Sequence, residues 1–107
     1  MKIKWSPEAA ADIAGIVAYI HEQNPSAADR VAHTMYDSAA SLESFPNRGR
    51  LGRVGGTREL VLAPLPFIVV YRVKRNVVEI ARVLHPDTSS LSAKGAGVLR
   101  LRRGFTS

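Results

Sequence analysis

Residues 57–84 read TRELVLAPLPFIVVYRVKRNVVEIARVL. The period is close to two, and Val, Ile, Tyr and Phe are frequent, which is the pattern of pleated strands rather than of a helix. Pro64-Leu65-Pro66 and Lys74-Arg75-Asn76 punctuate the stretch. It therefore divides into three strands, near 57–63, 67–73 and 77–84. Connections this short join neighbouring strands antiparallel. Phe67-Ile68-Val69-Val70-Tyr71 is apolar at successive positions, which suits a central strand covered on both faces.

Upstream of this stretch the period changes to that of a helix. Lys2 to Trp5 alternates and predicts a short strand. Ser6-Pro7-Glu8 then supplies an N-cap, a proline at the first helical position and an acid at the positive end of the dipole. Ile13, Ile16, Val17 and Ile20 form one apolar stripe. Asn24-Pro25 ends this helix and starts a second, whose face carries Ala28, Val31, Met35, Ala39 and Leu42 and which stops near Phe45-Pro46. Two amphipathic helices on so short a turn pack as a hairpin. The order strand, helix, helix, strand, strand, strand predicts an α+β layer: an N-terminal helical hairpin on a small twisted antiparallel sheet, with the first strand at its edge.

A chain of 107 residues fits one domain. The absence of cysteine excludes disulfides and thiol catalysis. The N-terminus has no long apolar run, so no signal peptide or membrane span is expected, and a cytoplasmic location follows. The net charge of +6 is uneven: residues 1–45 carry three basic and six acidic side chains, residues 46–107 twelve basic and three acidic. This asymmetry fits a footprint for nucleic acid or for an acidic protein segment, with a solvated basic surface as the plain alternative. Residues 1–86 form the expected domain. Residues 87–107 lose all periodicity and end in Arg100, Arg102 and Arg103, a basic C-terminal extension.

The loop from Pro46 to Gly56, PNRGRLGRVGG, combines glycines that permit close backbone approach with Arg48, Arg50 and Arg53. It is neither a Walker A loop nor a dinucleotide fingerprint, and a flexible surface loop is its plain alternative. Arg58 shares strand parity with Leu60 and Leu62, while Glu59 shares it with Thr57 and Val61, so one of the two faces away from the core. A cross-strand pairing with Arg72 or Arg82 would make both ordinary strand charges. His21 and His33 fall off the apolar stripes and are expected to be exposed. His85 ends the last strand, where an acid or base working near neutral pH would be drawn from it, or where it only caps the strand. Arg82 and His85 point to opposite faces unless a bulge intervenes. The histidines are scattered, so no metal site and no cofactor is expected.

Trp5-Ser6-Pro7-Glu8-Ala9 with Asp12 and Ile13, Tyr19-Ile20, Asn24-Pro25 and Ala27-Ala28 come first in a longer ordered set. Phe45-Pro46, Gly49-Arg50, Gly52-Arg53, Gly56-Thr57-Arg58-Glu59-Leu60, Val70-Tyr71-Arg72 and Arg82-Val83-Leu84-His85 continue it. Over residues 5–85 this set resembles the RelE/ParE toxins of bacterial type II toxin–antitoxin systems. The resemblance implies the fold given above, and an antitoxin partner, acidic and with a DNA-binding N-terminal part, that wraps the toxin in a hetero-oligomer.

The resemblance also implies one of two targets. RelE-like members cleave mRNA on the ribosome, whereas ParE-like members inhibit DNA gyrase. Arg58 matches a phosphate-binding arginine of the cleaving group, and His85 falls near the histidine of its YoeB-like members. The glutamate base of those members has no counterpart in Gly49-Arg50-Leu51-Gly52-Arg53, and arginines stand where RelE has paired lysines. Arginine is a poor proton acceptor. The ParE-like reading therefore leads, with Arg50, Arg53, Arg58, Tyr71 and Arg82 as target- or phosphate-binding residues, joined by His85. Arg58 and His85 are catalytic only in the nuclease reading. Tyr71 either stacks or is buried in the core. A third reading is an inactive relative that only binds antitoxin.

Overall fold

Ser6 and Asn24 set the helical limits. In the computed structural model, which describes residues 1–85, Ser6 is extended and its Oγ accepts from the Ala9 N–H at 3.0 Å. Helix α1 then runs Pro7–Gln23. The Asn24 N–H closes α1 onto Ile20 O, and its side chain accepts from the Ala27 N–H to open α2, Pro25–Ser41. Ala9 and Ile13 of α1 and Ala28, Val31, Met35 and Ala39 of α2 are buried, with Leu42 just beyond, so the predicted apolar faces are the ones that pack. The expected basic extension, residues 87–107, lies outside the described residues.

Five strands form the sheet: β1 (Lys2–Trp5), β2 (Arg50–Leu51), β3 (Arg58–Val61), β4 (Ile68–Lys74) and β5 (Val77–Leu84). Their order is β1-β5-β4-β3-β2. The three predicted strands are present and antiparallel to one another in sequence, β3 to β4 and β4 to β5. The expectation of an all-antiparallel sheet needs correcting. Strand β1 pairs parallel to β5, from Lys2 opposite Val77 to Trp5 opposite Ile80, and the sheet is mixed. A short connection fixes direction only between consecutive strands, whereas β1 is aligned by Ser6 at its C-terminal end. The Ser6 N–H donates to Ile80 O at 2.9 Å and the Ser6 hydroxyl to Ala81 O at 2.8 Å, so the start of α1 is seated on β5. Strand β2, which the sequence reads as loop, covers the outer edge of β3 with Arg50 opposite Glu59.

The central strand β4 is covered on one face only. Val69 and Tyr71 are fully buried on the helical side, while Ile68 and Val70 on the other side are half-buried. Strand β5 contains a bulge: Tyr71 faces Ile80 but Val70 faces Arg82, so Ala81 is the extra residue. The bulge keeps Val78, Ile80 and Val83 together in the core and turns Arg82 to the open face. Asp12 of α1 closes it, accepting from the Val83 N–H at 2.9 Å and from Arg82 Nε at 2.7 Å.

Tyr71 fastens the arginine loop to this core. Its hydroxyl donates to Pro46 O and accepts from the Gly49 N–H, both at 2.8 Å. A Cβ at Gly49 would stand 2.7 Å from that hydroxyl and 2.9 Å from Glu59 O, so only glycine lets the loop come this close. Among the described residues no helix is long and apolar enough to cross a membrane.

Three destabilising substitutions and one neutral control are expected in urea titrations. Ser6→Ala loses a helix cap and a bond to the bulge, costing about 1–2 kcal/mol. Tyr71→Phe leaves the buried Gly49 N–H without an acceptor, costing about 1–3 kcal/mol. Gly49→Ala is destabilising as well, whereas Gly55→Ala, with open space around it, leaves the midpoint nearly unchanged.

Candidate functional site

Because the helices cover one face of the sheet, the other is left as a groove of about 580 Å³. Val70, Ala81 and Leu84 form its apolar floor. The loop residues Arg53, Val54 and Thr57 wall one side, and Ser6 and Glu8 at the start of α1 the other. Glu59, Arg72, Glu79 and Arg82 stand in it, because strand alternation and the β5 bulge place all four on the open face.

Most of these charges are already matched. Arg50 pairs with Glu59 at 3.1 Å across the β2–β3 ladder, and the Arg53 backbone N–H donates to the other Glu59 oxygen at 3.4 Å. Glu59 is therefore partnered by Arg50, and not by Arg72 or Arg82. Glu79 pairs with Lys74 at 3.2 Å. Arg82 makes a two-pronged pair with Asp12, at 2.7 and 3.0 Å. Hydrogen bonding to Asp12 outweighs partial desolvation and holds the Arg82 guanidinium above the ordinary arginine range. The side chains of Arg53 and Arg72 make no hydrogen bond or ion pair among the described residues, so the groove carries two unmatched cations over an apolar floor.

The candidates drawn from the sequence thus separate. Arg50, Arg53 and Arg82 lie on or beside the open face. Arg58 is on the helical side with Leu60 and Leu62, and it donates to Gly49 O at 2.7 Å and Asn47 O at 3.5 Å, bracing the loop from beneath. Tyr71 is fully buried with its hydroxyl occupied, so it is a core residue and does not stack on a ligand. His85 packs edge-on against Phe67, ring centroids 5.8 Å apart. The β5 bulge lies before Arg82 rather than between Arg82 and His85, so these two do point apart. His21 and His33 are exposed, as expected.

Arg58 and His85 do not meet. Arg58 is level with Tyr71 on β4, whereas Leu84 is level with Ile68. The offset is about 13 Å along the strands and about 10 Å across them, and the Arg58 guanidinium is bonded towards β2, away from His85.

Sequence reasoning missed three residues of this region. Leu51 and Val54 are exposed, at 78% and 61%, between the loop arginines. Two large apolar residues inside an otherwise polar, glycine-rich loop were the available signal. Arg72 was weighed only as a partner for another charge, although its parity with Val70 already placed it on that strand's second face.

Among the described residues, no group of histidines and carboxylates could hold a metal ion. The family described as ParE toxin of the type II toxin–antitoxin system parDE matches residues 3–88. The protein Y4kP of Sinorhizobium fredii is 42% identical over 84 residues, covering 78% of this chain and 86% of that one. Toxin RelE2 of Caulobacter vibrioides is 38% identical over 84 residues, covering 78% and 93%. A solved chain from the chromosomal ParDE toxin–antitoxin system of P. aeruginosa superposes with a TM-score of 0.73 at 28% identity, over 79% of this chain and 95% of that one. With the family match over residues 3–88 and these identities to known toxins, the chain belongs to the ParE toxin family of type II toxin–antitoxin systems.

Proposed function

We propose that this toxin arrests growth by docking its arginine loop and open sheet face on a protein target, DNA gyrase, and that a cognate antitoxin silences it in a hetero-oligomer. The observation that carries this reading is the separation of Arg58 from His85. Cleavage of RNA by its own 2′-hydroxyl needs a base, an acid and a cation within hydrogen-bond reach of one phosphate. Here the histidine packs on Phe67 and Arg58 braces a loop. The groove carboxylates Glu59 and Glu79 are held by Arg50 and Lys74.

A docking toxin needs no such convergence. It needs a surface of mixed character, and the loop offers one: unmatched Arg53 beside exposed Leu51 and Val54, with Arg72 behind it. The antitoxin is supported by the ParDE neighbour, and acidic groups on it would meet the same cations.

Induced expression without antitoxin, with separate pulse labelling of DNA and protein synthesis, tests the reading. DNA synthesis is expected to fall first. An earlier fall in protein synthesis would point to mRNA cleavage, and undiminished growth to a chain that only binds antitoxin; either sinks the proposal. In a purified gyrase supercoiling assay, Arg53→Glu is expected to weaken inhibition by about 1–2 kcal/mol, roughly ten-fold. The fold is spared because that guanidinium has no partner among the described residues. His85→Ala is expected to leave inhibition unchanged.

A further inference from the structure

On the open face, the end of the sheet nearest the β4–β5 turn collects cations from three strands. Ile3 and Trp5 of β1 pack on the core, so Lys2 and Lys4 point to the other face. Val78 and Ile80 of β5 are buried on the helical side, which leaves Val77 and Glu79 on the open face. Tyr71 of β4 is buried as well, so Arg72 and Lys74 join them. The register sets Lys2, Val77 and Lys74 in one row across the sheet and Lys4, Glu79 and Arg72 in the next. Neighbouring strands are about 4.8 Å apart, so each row is about 10 Å wide. Arg75 stands exposed in the turn beside the first row. The Lys2 N–H donates to Asn76 O at 3.0 Å and ties β1 to that turn.

Five cations here face one carboxylate, a net +4. Glu79 is taken by Lys74 at 3.2 Å. Lys2, Lys4, Arg72 and Arg75 make no side-chain hydrogen bond or ion pair among the described residues. The next row is different. Level with Val70 are Arg82 on β5 and Glu59 on β3, with Arg50 on β2 opposite Glu59. Its arginines are matched by Glu59 and Asp12, and Glu8 adds a further negative charge near Arg82. The open face is thus polarised along its strands, with the unmatched positive charge at the turn end. Lysines on an edge strand such as β1 discourage strand addition. Arg72 and Lys74 on the inner strand β4 have no edge to guard, so that role leaves them unexplained.

We propose that this end of the sheet binds the phosphate backbone of double-stranded nucleic acid without reading its sequence. Phosphate contacts need cations held in a fixed array and little else. A protein partner would need apolar anchors as well, and the only apolar member of the two rows is half-buried Val77. A single strand would need aromatic rings to stack on. The exposed aromatic side chains among the described residues, Tyr19, Tyr36 and Phe45, lie on the helices or just after them. The inference does not rest on the gyrase reading. Lys2, Lys4, Lys74 and Arg75 do not line the groove, so a toxin docked through its arginine loop keeps them available.

Fluorescence anisotropy tests this, with the full-length protein titrated at several salt concentrations into a labelled DNA duplex, a matching RNA duplex and a single strand. Duplex binding is expected, with log affinity falling against log salt at a slope of about −4, as about four or five phosphates are neutralised. The duplex bound more tightly names the source of the backbone. Lys2→Gln/Lys4→Gln/Arg75→Gln is expected to make the slope shallower by about 2.7 and to lower affinity roughly a hundred-fold at low salt. Arg75→Gln alone leaves every strand contact in place, and its slope should be shallower by about 0.9. No binding to either duplex, tighter binding of the single strand, or equal displacement by polyglutamate would overturn the proposal. So would an equal loss in the charge-matched Arg100→Gln/Arg102→Gln/Arg103→Gln, which would make net charge, and not this array, the cause.

Discussion

The bulge at Ala81 and its seating by α1 constrain everything else in this structure. A regular β5 would send Arg82 to the helical face with Ile80 and push Val83 out of the core. One extra residue reverses both, but it frees backbone groups that must be satisfied. Ser6 and Asp12, from the cap and second turn of α1, satisfy them: Ser6 through Ile80 O and Ala81 O, Asp12 through the Val83 N–H. The ion pair with Arg82 is the weaker part, because Arg82 is about half-exposed and an exposed pair contributes roughly 0–1 kcal/mol. The partly buried Val83 N–H matters more, since leaving such a donor unpaired costs about 1–3 kcal/mol. The same contacts align β1, set the tilt of the hairpin on the sheet and form one wall of the groove.

The features legible in the sequence were local. Ser6-Pro7 and Asn24-Pro25 announce their caps by side-chain chemistry within three residues, and both are present. The alternation of residues 57–84 gives the hairpins, because each connection is too short for anything else. The features that stayed hidden were nonlocal. Strand β2 is two residues long and exists through Glu59, which pairs with Arg50, and Tyr71, which anchors the adjoining Gly49. The direction of β1 depends on carbonyls about 75 residues away. The Tyr71 ring could stack or be buried until Pro46 and Gly49 were seen to occupy its hydroxyl.

The site was legible as a set of charges but not as a set of pairs. Arginine count and spacing mark the loop and the sheet, yet they cannot distinguish a cation consumed inside the protein from one available to a partner. Arg50 is matched by Glu59, Arg58 by loop carbonyls and Arg82 by Asp12. These three shape the site. Arg53 and Arg72 remain, and only one of them was singled out from sequence, because a strand arginine beside a glutamate reads as half of a cross-strand pair. Here Lys74 takes that glutamate, and among the described residues Arg72 is left over.

The two mechanisms that the sequence resemblance implies make different demands on the same elements, so the fold alone does not choose between them. A nuclease needs groups from several strands brought to one atom, and a single register offset of four residues defeats it. A docking surface needs only breadth, charge of one sign and a few apolar anchors, and it survives such an offset. In this chain Tyr71, Gly49 and Arg58 fix the position of the loop from beneath, while Leu51, Arg53 and Val54 stand out from it. Rigid support beneath and mixed chemistry above limit the entropy lost on binding and leave the exposed side chains to set specificity. Arg58, which the nuclease reading would place on a phosphate, is occupied in that support through Gly49 O.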